Sequence, residues 1–184
     1  MAIIREGDKT ALLIVDMQVG VIVGAWKDDL IIENTRRAVE KARDQGIPVI
    51  WIQHTNHEMA PGSPAWQIVT GLTPLPEEIR INKHFNSSFE QTELEETLAR
   101  LGIAHIVLAG GHTNWCIQST AYAALERGYD LTLIGDAHTT EDINLDNGEK
   151  VRAADVIQEF NIVTNWVEYP GRTNRVVKVD ELEF

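Results

Sequence analysis

The 184-residue chain is predicted to be an α/β protein with three layers, α/β/α, built on a doubly wound, mainly parallel sheet of six strands. Three observations lead there. Short apolar, β-rich runs alternate with amphipathic stretches about six times, the pattern of strand–crossover–strand units with right-handed connections. The first run, Ala11-Leu12-Leu13-Ile14-Val15, is apolar throughout, which fits a strand covered on both faces. No repeat, low-complexity tract or composition shift marks a linker. The length suits one domain, which buries roughly 70% of the surface its unfolded chain exposes. Residues 1–184 are therefore taken as a single domain.

Each element has its own signal. The strand 11–15 ends at Asp16. Asp28 or Asp29 can cap a helix running to Gln45 and stopped by Gly46, with Leu30, Ile31, Asn34, Ala38 and Ala42 on its inner side. Residues 47–53 form a second strand. Residues 54–77 then make a long excursion rich in proline and glycine, of the kind that usually carries function. A short strand over 79–82 leads to Lys83. Thr92-Glu93-Leu94-Glu95 has capping-box spacing and begins a helix to Leu101, stopped by Gly102. A fourth strand, 105–109, runs into Gly110-Gly111-His112-Thr113-Asn114-Trp115-Cys116 and a helix ending near Gly128. A fifth strand covers 129–134. A helix over 148–160 and a sixth strand over 162–165 follow. The tail 170–184 is polar and weakly patterned, suited to an oligomer arm or to fraying.

Composition narrows the function. Lys and Arg total 16, Asp and Glu 28, and the net charge is −12. That balance repels phosphate backbones and anionic lipid, so neither nucleic acid nor a membrane is expected as partner. The single cysteine, Cys116, excludes an internal disulfide, a multi-cysteine zinc site and a resolving thiol. Met1 to Thr10 shows no apolar leader core. Apolar runs fall far short of the roughly 20 residues a membrane-spanning helix needs. A cytoplasmic protein is expected.

In doubly wound sheets, ligands bind beyond the carboxyl ends of the strands. That directs attention to Asp16, His54 to His57, Lys83, Gly110 to Cys116, and Asp136 to His138. Cys116 follows paired glycines near a helix start, where amides and the helix dipole would favour a thiolate. Such a thiolate should be alkylated even at pH 6. Otherwise Cys116 is a small buried hydrophobe. Asp16 is a strand-end carboxylate that either caps a loop or moves a proton. Lys83 is either a surface lysine or an ammonium between carboxylate and thiol. By chemistry alone a histidine would be the default partner of Cys116. His54, His57 and a carboxylate could also bind a metal, although their spacing is not diagnostic. Trp26, Trp66, Phe85 and Trp115 either pack their own loops or line a small-molecule pocket.

Taken together, these segments resemble the isochorismatase-like cysteine hydrolase superfamily. The resemblance rests on Leu13-Ile14-Val15-Asp16-Met17-Gln18, on Lys83 to Phe89, on Gly111 to Ala121, and on Gly128-Tyr129 with Gly135-Asp136-Ala137. It implies a Rossmann-like fold and a catalytic triad of Asp16, Lys83 and Cys116. It also implies an oxyanion hole from the His112 and Cys116 amides, beside a cis peptide at Gly111–His112. Cys116 would attack a small amide or cyclic amide and form a thioester. Gln18, Trp26, His54, Trp66, Phe85 and Trp115 would line the substrate pocket. No cofactor or metal is implied, because His54-Thr55-Asn56-His57 lacks the aspartate of the nicotinamidase zinc motif. A homo-oligomer, dimer or tetramer, is expected. The segments 62–68 and 135–142 look most like the streptothricin hydrolase branch. Alternatives are a vinyl ether hydrolase of isochorismatase type, a nicotinamidase-like amidase, and a non-catalytic binding protein with a vestigial pocket.

Overall fold

The computed structural model describes residues 5–184. Residues 1–4, the start of the segment tested for a leader, lie outside them. The sheet is built from β1 (Lys9–Val15), β2 (Val49–His54), β3 (Ile79–Lys83), β4 (Ile103–Gly111), β5 (Asp130–Thr139) and β8 (Asn174–Val177). Their order is β3-β2-β1-β4-β5-β8, and every pairing is parallel. A two-stranded hairpin, β6 (Ile143–Asn144) with β7 (Lys150–Val151), follows β5. The chain winds outward from β1 in both directions, so the crevice at the switch point opens between the carboxyl ends of β1 and β4.

Alternate residues of β1 feed two separate cores. Ala11, Leu13 and Val15 face a core with helices α3 (Leu94–Leu101), α4 (Gln118–Glu126) and α5 (Ala153–Trp166). Leu12 and Ile14 face a core with α2 (Asp28–Asp44). Helix α2 carries Asp28 and Asp29 in its first turn and Lys41 and Arg43 in its last, each placed favourably on the helix dipole. Ile31, Asn34, Ala38 and Ala42 are buried as expected, but Leu30 is 48% exposed. It lies at the rim of the apolar stripe rather than within it. The short helix α1 (Val19–Ile22) follows Gln18. Glu78 closes the excursion over 54–77 by accepting bonds from Arg43, Trp51 Nε1 and the Leu75 amide.

The sequence misplaces the end of the chain. Residues 162–165, expected as the sixth strand, continue α5 to Trp166. The β-branched residues Ile162, Val163 and Thr164 suggested a strand, but Ala153, Ile157, Phe160 and Thr164 form one buried helical stripe. The sixth strand instead comes from the tail. Asn174 to Val177 pair with Leu131 to Ile134. Beyond them Val179 and Leu182 are buried against α2, held by Lys41 Nζ on the Val179 and Leu182 carbonyls at 2.8 and 3.2 Å. An edge strand needs few apolar residues, so its pattern is faint. Thr92 also caps differently: its hydroxyl accepts from the Leu94 amide, and the helix starts at Leu94, one residue later than the capping box predicts. Glu95 is drawn away to Arg5 and Arg127. Among the described residues, no helix is long and apolar enough to cross a membrane.

One glycine joins the switch-point strands. Gly110 has φ +132°, and a Cβ there would fall on the Val15 carbonyl of the adjacent strand. Both the backbone conformation and the space require glycine. Gly110→Ala is expected to cost about 3 kcal/mol or more or to abolish folding. Gly62→Ala, at φ +88° with nothing within 4 Å of its Cβ, should cost far less. Thermal melting of the two variants checks this; equal losses would contradict it.

Candidate active site

Strand ends deliver the polar residues to the crevice. Asp16 leaves β1 in the left-handed region at φ +52°, a conformation aspartate tolerates better than most residues. Its amide still donates to Ile52 O at 2.8 Å, while its carbonyl accepts from the Gln18 amide at 2.7 Å. The turn is therefore tight, and it keeps the carboxylate inside. Lys83 ends β3, two strands away, in register with His54 of β2. Its side chain crosses the end of β2 to reach Asp16. Both Asp16 and Lys83 are essentially inaccessible to solvent.

Cys116 lies in a π-helical turn, Thr113–Ile117, between β4 and α4. The peptide Gly111–His112 ahead of it is cis. The turn wraps the His112 carbonyl, which accepts from the amides of Trp115 and Ile117 at 3.2 and 3.1 Å. Side chains fasten the turn at three points. His112 Nε2 donates to Val21 O at 2.6 Å, Thr113 bonds His138 at 2.8 Å, and Thr140 donates to Asn114 Oδ1 at 2.6 Å.

The Lys83 ammonium is the hub. Nζ lies 2.6 Å from Asp16 Oδ2, 3.2 Å from Cys116 Sγ, 3.3 Å from His54 Nδ1 and 3.1 Å from Phe85 O. Asp16 and Lys83 form a buried ion pair, and Asp16 Oδ1 has no hydrogen-bond partner among the described residues. Burial pushes the Lys83 pKa down, but the charges of Asp16 and Cys116 outweigh it and the net shift is upward. The lysine stays charged. Burial and then the Asp16 charge push the Cys116 thiol up to about 12, against the pull of Lys83. The thiol is thus protonated at neutral pH. This corrects the expectation of a resting thiolate: desolvation and a neighbouring carboxylate outweigh the favourable end of a helix. Burial, and next the Lys83 charge, lower the His54 pKa, so its imidazole is neutral.

Among the described residues, Asp16, His54 and Cys116 are the one group of three potential metal ligands whose donor atoms converge, within 4.8 Å of one another. Lys83 Nζ touches all three and supplies at that point the positive charge an ion would bring. His57 does not join them; it is 89% exposed, beside Glu58.

The other residues singled out in the sequence fall in different places. The Gln18 amide is fully engaged, donating to the carbonyls of His54 and Trp66 and accepting from the His54 amide. It braces the loops at His54 and Trp66. Trp66 Nε1 is tied to Thr55 Oγ1 at 3.2 Å. Trp26 lines a separate cavity of about 550 Å³ between α2 and α5, with Leu30, Ile157 and Ile162, which does not touch Cys116. Phe85 and Trp115 are 43% and 52% exposed beside the Lys83–Cys116 cluster. Thr113, Thr140 and Asn161 were missed by sequence reasoning. Thr113 and Thr140 lie inside the segments that follow β4 and β5, but nothing in their local pattern marks a tether, and Asn161 falls just beyond the helix expected over 148–160.

Fold and cluster together define a doubly wound α/β protein with its polar groups gathered at the switch point. Residues 10–168 match the isochorismatase domain, and the chain belongs to the isochorismatase family of hydrolases. It is 31% identical over 140 residues to a streptothricin hydrolase of Streptomyces noursei, covering 72% of this chain and 55% of that protein. The chain thus spans about half the length of the streptothricin hydrolases it matches. It is 30% identical over 174 residues to a ureidoacrylate amidohydrolase of Methylorubrum extorquens, covering 72% of this chain and 70% of that protein. The crystal structure of an isochorismatase from Pseudomonas putida KT2440 matches with TM-score 0.83 at 28% identity, covering 96% of this chain and 93% of that one.

A thiol with a pKa near 12 has a distinct pH signature. Iodoacetamide labelling of Cys116 should be slow at pH 7 and should rise about tenfold per pH unit through pH 10. A plateau below pH 9, read by mass spectrometry of the labelled peptide, would contradict the assignment.

Proposed function

We propose that the protein is a cysteine hydrolase that cleaves a C–N amide or cyclic amide bond of a small molecule through a thioester on Cys116. The observation that carries this reading is the buried Lys83 ammonium, which faces the Asp16 carboxylate on one side and the Cys116 sulfur on the other. A protonated thiol beside an unpartnered carboxylate oxygen suits proton transfer at the moment of attack rather than a standing thiolate.

The steps follow from that arrangement. Asp16 takes the Sγ–H proton as Sγ bonds to the carbonyl carbon. Charge on the carbonyl oxygen would be met by the amides of His112, just before the π turn, and Cys116, within it. Lys83 remains protonated throughout and faces both the carboxylate and the sulfur while the proton moves between them. When the intermediate collapses, the C–N bond breaks and Asp16 returns the proton to the leaving nitrogen. Water then attacks the thioester, gives its proton to Asp16, and releases the acid and the thiolate. The thiolate recovers the proton from Asp16.

Phe85, two residues after Lys83, and Trp115, next to Cys116 in the chain, are exposed and suit a flat or apolar part of the substrate. The likeness to a streptothricin hydrolase and a ureidoacrylate amidohydrolase adds support for an amide or ureido substrate. The absence of the nicotinamidase zinc motif from residues 54–57 points away from nicotinamide.

A library of small amides, lactams and ureides, scored by released ammonia or amine, tests the reading. At least one member should be turned over. Cys116→Ala should lower kcat by about 10⁴-fold or more, with Asp16→Asn and Lys83→Met nearly as severe, because such residues act as a unit. Most of the activity surviving in Cys116→Ala would overturn the thioester and favour an ether hydrolase, which needs no thiol.

A further inference from the structure

We propose that His138 is a positioning residue for Cys116, acting through the hydroxyl of Thr113 at the start of the turn that carries the nucleophile. The kinetic part of this proposal rests on the hydrolase reading above; the structural part does not.

Of the three tethers on the turn, the Thr113–His138 bond is the one with both partners fully buried. The donors and acceptors run in a single direction. Gly135 O can only accept, so Asn161 presents its Nδ2 there, at 3.0 Å. That leaves Asn161 Oδ1 facing His138 Nε2 at 2.9 Å, so Nε2 carries the proton. His138 Nδ1 is then an acceptor only, and Thr113 Oγ1 must donate to it, at 2.8 Å. Burial lowers the His138 pKa to about 4, which keeps the ring neutral and Nδ1 open. The edge of the Phe160 ring packs beside the imidazole, 6.1 Å between centroids, and offers no competing polar partner.

Thr113 is held at two atoms. Its hydroxyl is fixed to β5 through His138, and its carbonyl accepts from the Gln118 amide where α4 begins. Cys116 lies between those two fixed points. The mechanism above makes no use of His138, yet the imidazole sets where the turn starts. A shift of about 1 Å in a reacting group can cost a hundredfold in rate.

Two substitutions separate positioning from mere filling of space. An asparagine amide oxygen reproduces the site of the imidazole Nδ1, whereas a glutamine amide reproduces Nε2. His138→Asn therefore keeps the acceptor for Thr113 and loses the Asn161 contact; His138→Gln does the reverse. Both remove ring volume. The expected result is kcat within about threefold of wild type for His138→Asn and about tenfold or more below it for His138→Gln, with KM little changed in either. Thr113→Val should behave like His138→Gln, and Thr113→Ser should recover most of the rate. The Thr113 pair carries the test if a His138 variant does not fold, as judged by thermal melting. Iodoacetamide labelling of Cys116 at pH 9 supplies a readout without substrate. It should depart from wild type at least about fivefold in Thr113→Val and His138→Gln and stay within about twofold in His138→Asn. Equal rates for the two His138 variants, or a wild-type rate in Thr113→Val, would overturn the proposal. If wild type turns over no amide, lactam or ureide, the hydrolase reading fails, and the labelling rates still decide the role of His138.

Discussion

A lysine ammonium with no access to solvent sets the terms for the rest of this molecule. Burying an unpaired charge costs several kcal/mol even after relaxation, so Lys83 is tolerated only because Asp16 and Cys116 face it. That requirement reaches back into the fold. β3 must end level with β2 so that the lysine can cross over His54. β1 must end in a left-handed residue so that the Asp16 carboxylate turns inward. β4 must approach β1 closely enough that only glycine fits at residue 110. Stability and chemistry therefore share one ion pair, and removing either partner should strain both.

The same cluster explains why the thiol rests protonated. A helix start and a nearby cation are often enough to hold a thiolate. Here burial and the Asp16 charge act in the opposite direction and win. The neutral pair of carboxylate and ammonium is satisfied as it stands, and ionising the sulfur would place a second anion in the same enclosure. Charge can move from Asp16 to sulfur only if the proton moves the other way. The carboxylate is thereby cast as the base, a role that a neutral His54, already accepting from Lys83, is poorly placed to take.

Much of this was legible in the sequence. The uninterrupted apolar run at 11–15 announced a strand buried on both faces, and alternation of runs announced the parallel sheet. Asp16, Lys83 and Cys116 stood out because each follows a strand, and the structure brings all three together. Other features were not legible. The sixth strand was sought at 162–165, where three of the four residues are β-branched, and missed at 174–177 because an edge strand leaves little hydrophobic trace. The bracing role of Gln18 depends on backbone atoms at His54 and Trp66, distant in sequence and therefore invisible to local patterns. The acceptor role of His138 depends on Asn161 and Gly135, which only tertiary structure aligns. The thiol pKa was misjudged because burial, unlike helix position, cannot be read from neighbours along the chain.

The central claim is that an anionic Asp16 and a cationic Lys83 flank a protonated Cys116. Its most direct measurement is the thiol pKa in the Asp16→Asn variant, followed by thiolate absorbance at 240 nm. Removing the carboxylate charge while Lys83 remains should lower that pKa by at least about one unit relative to wild type. A pKa that stays the same or rises would mean that Asp16 is not the charged neighbour of the sulfur, and the account would fail.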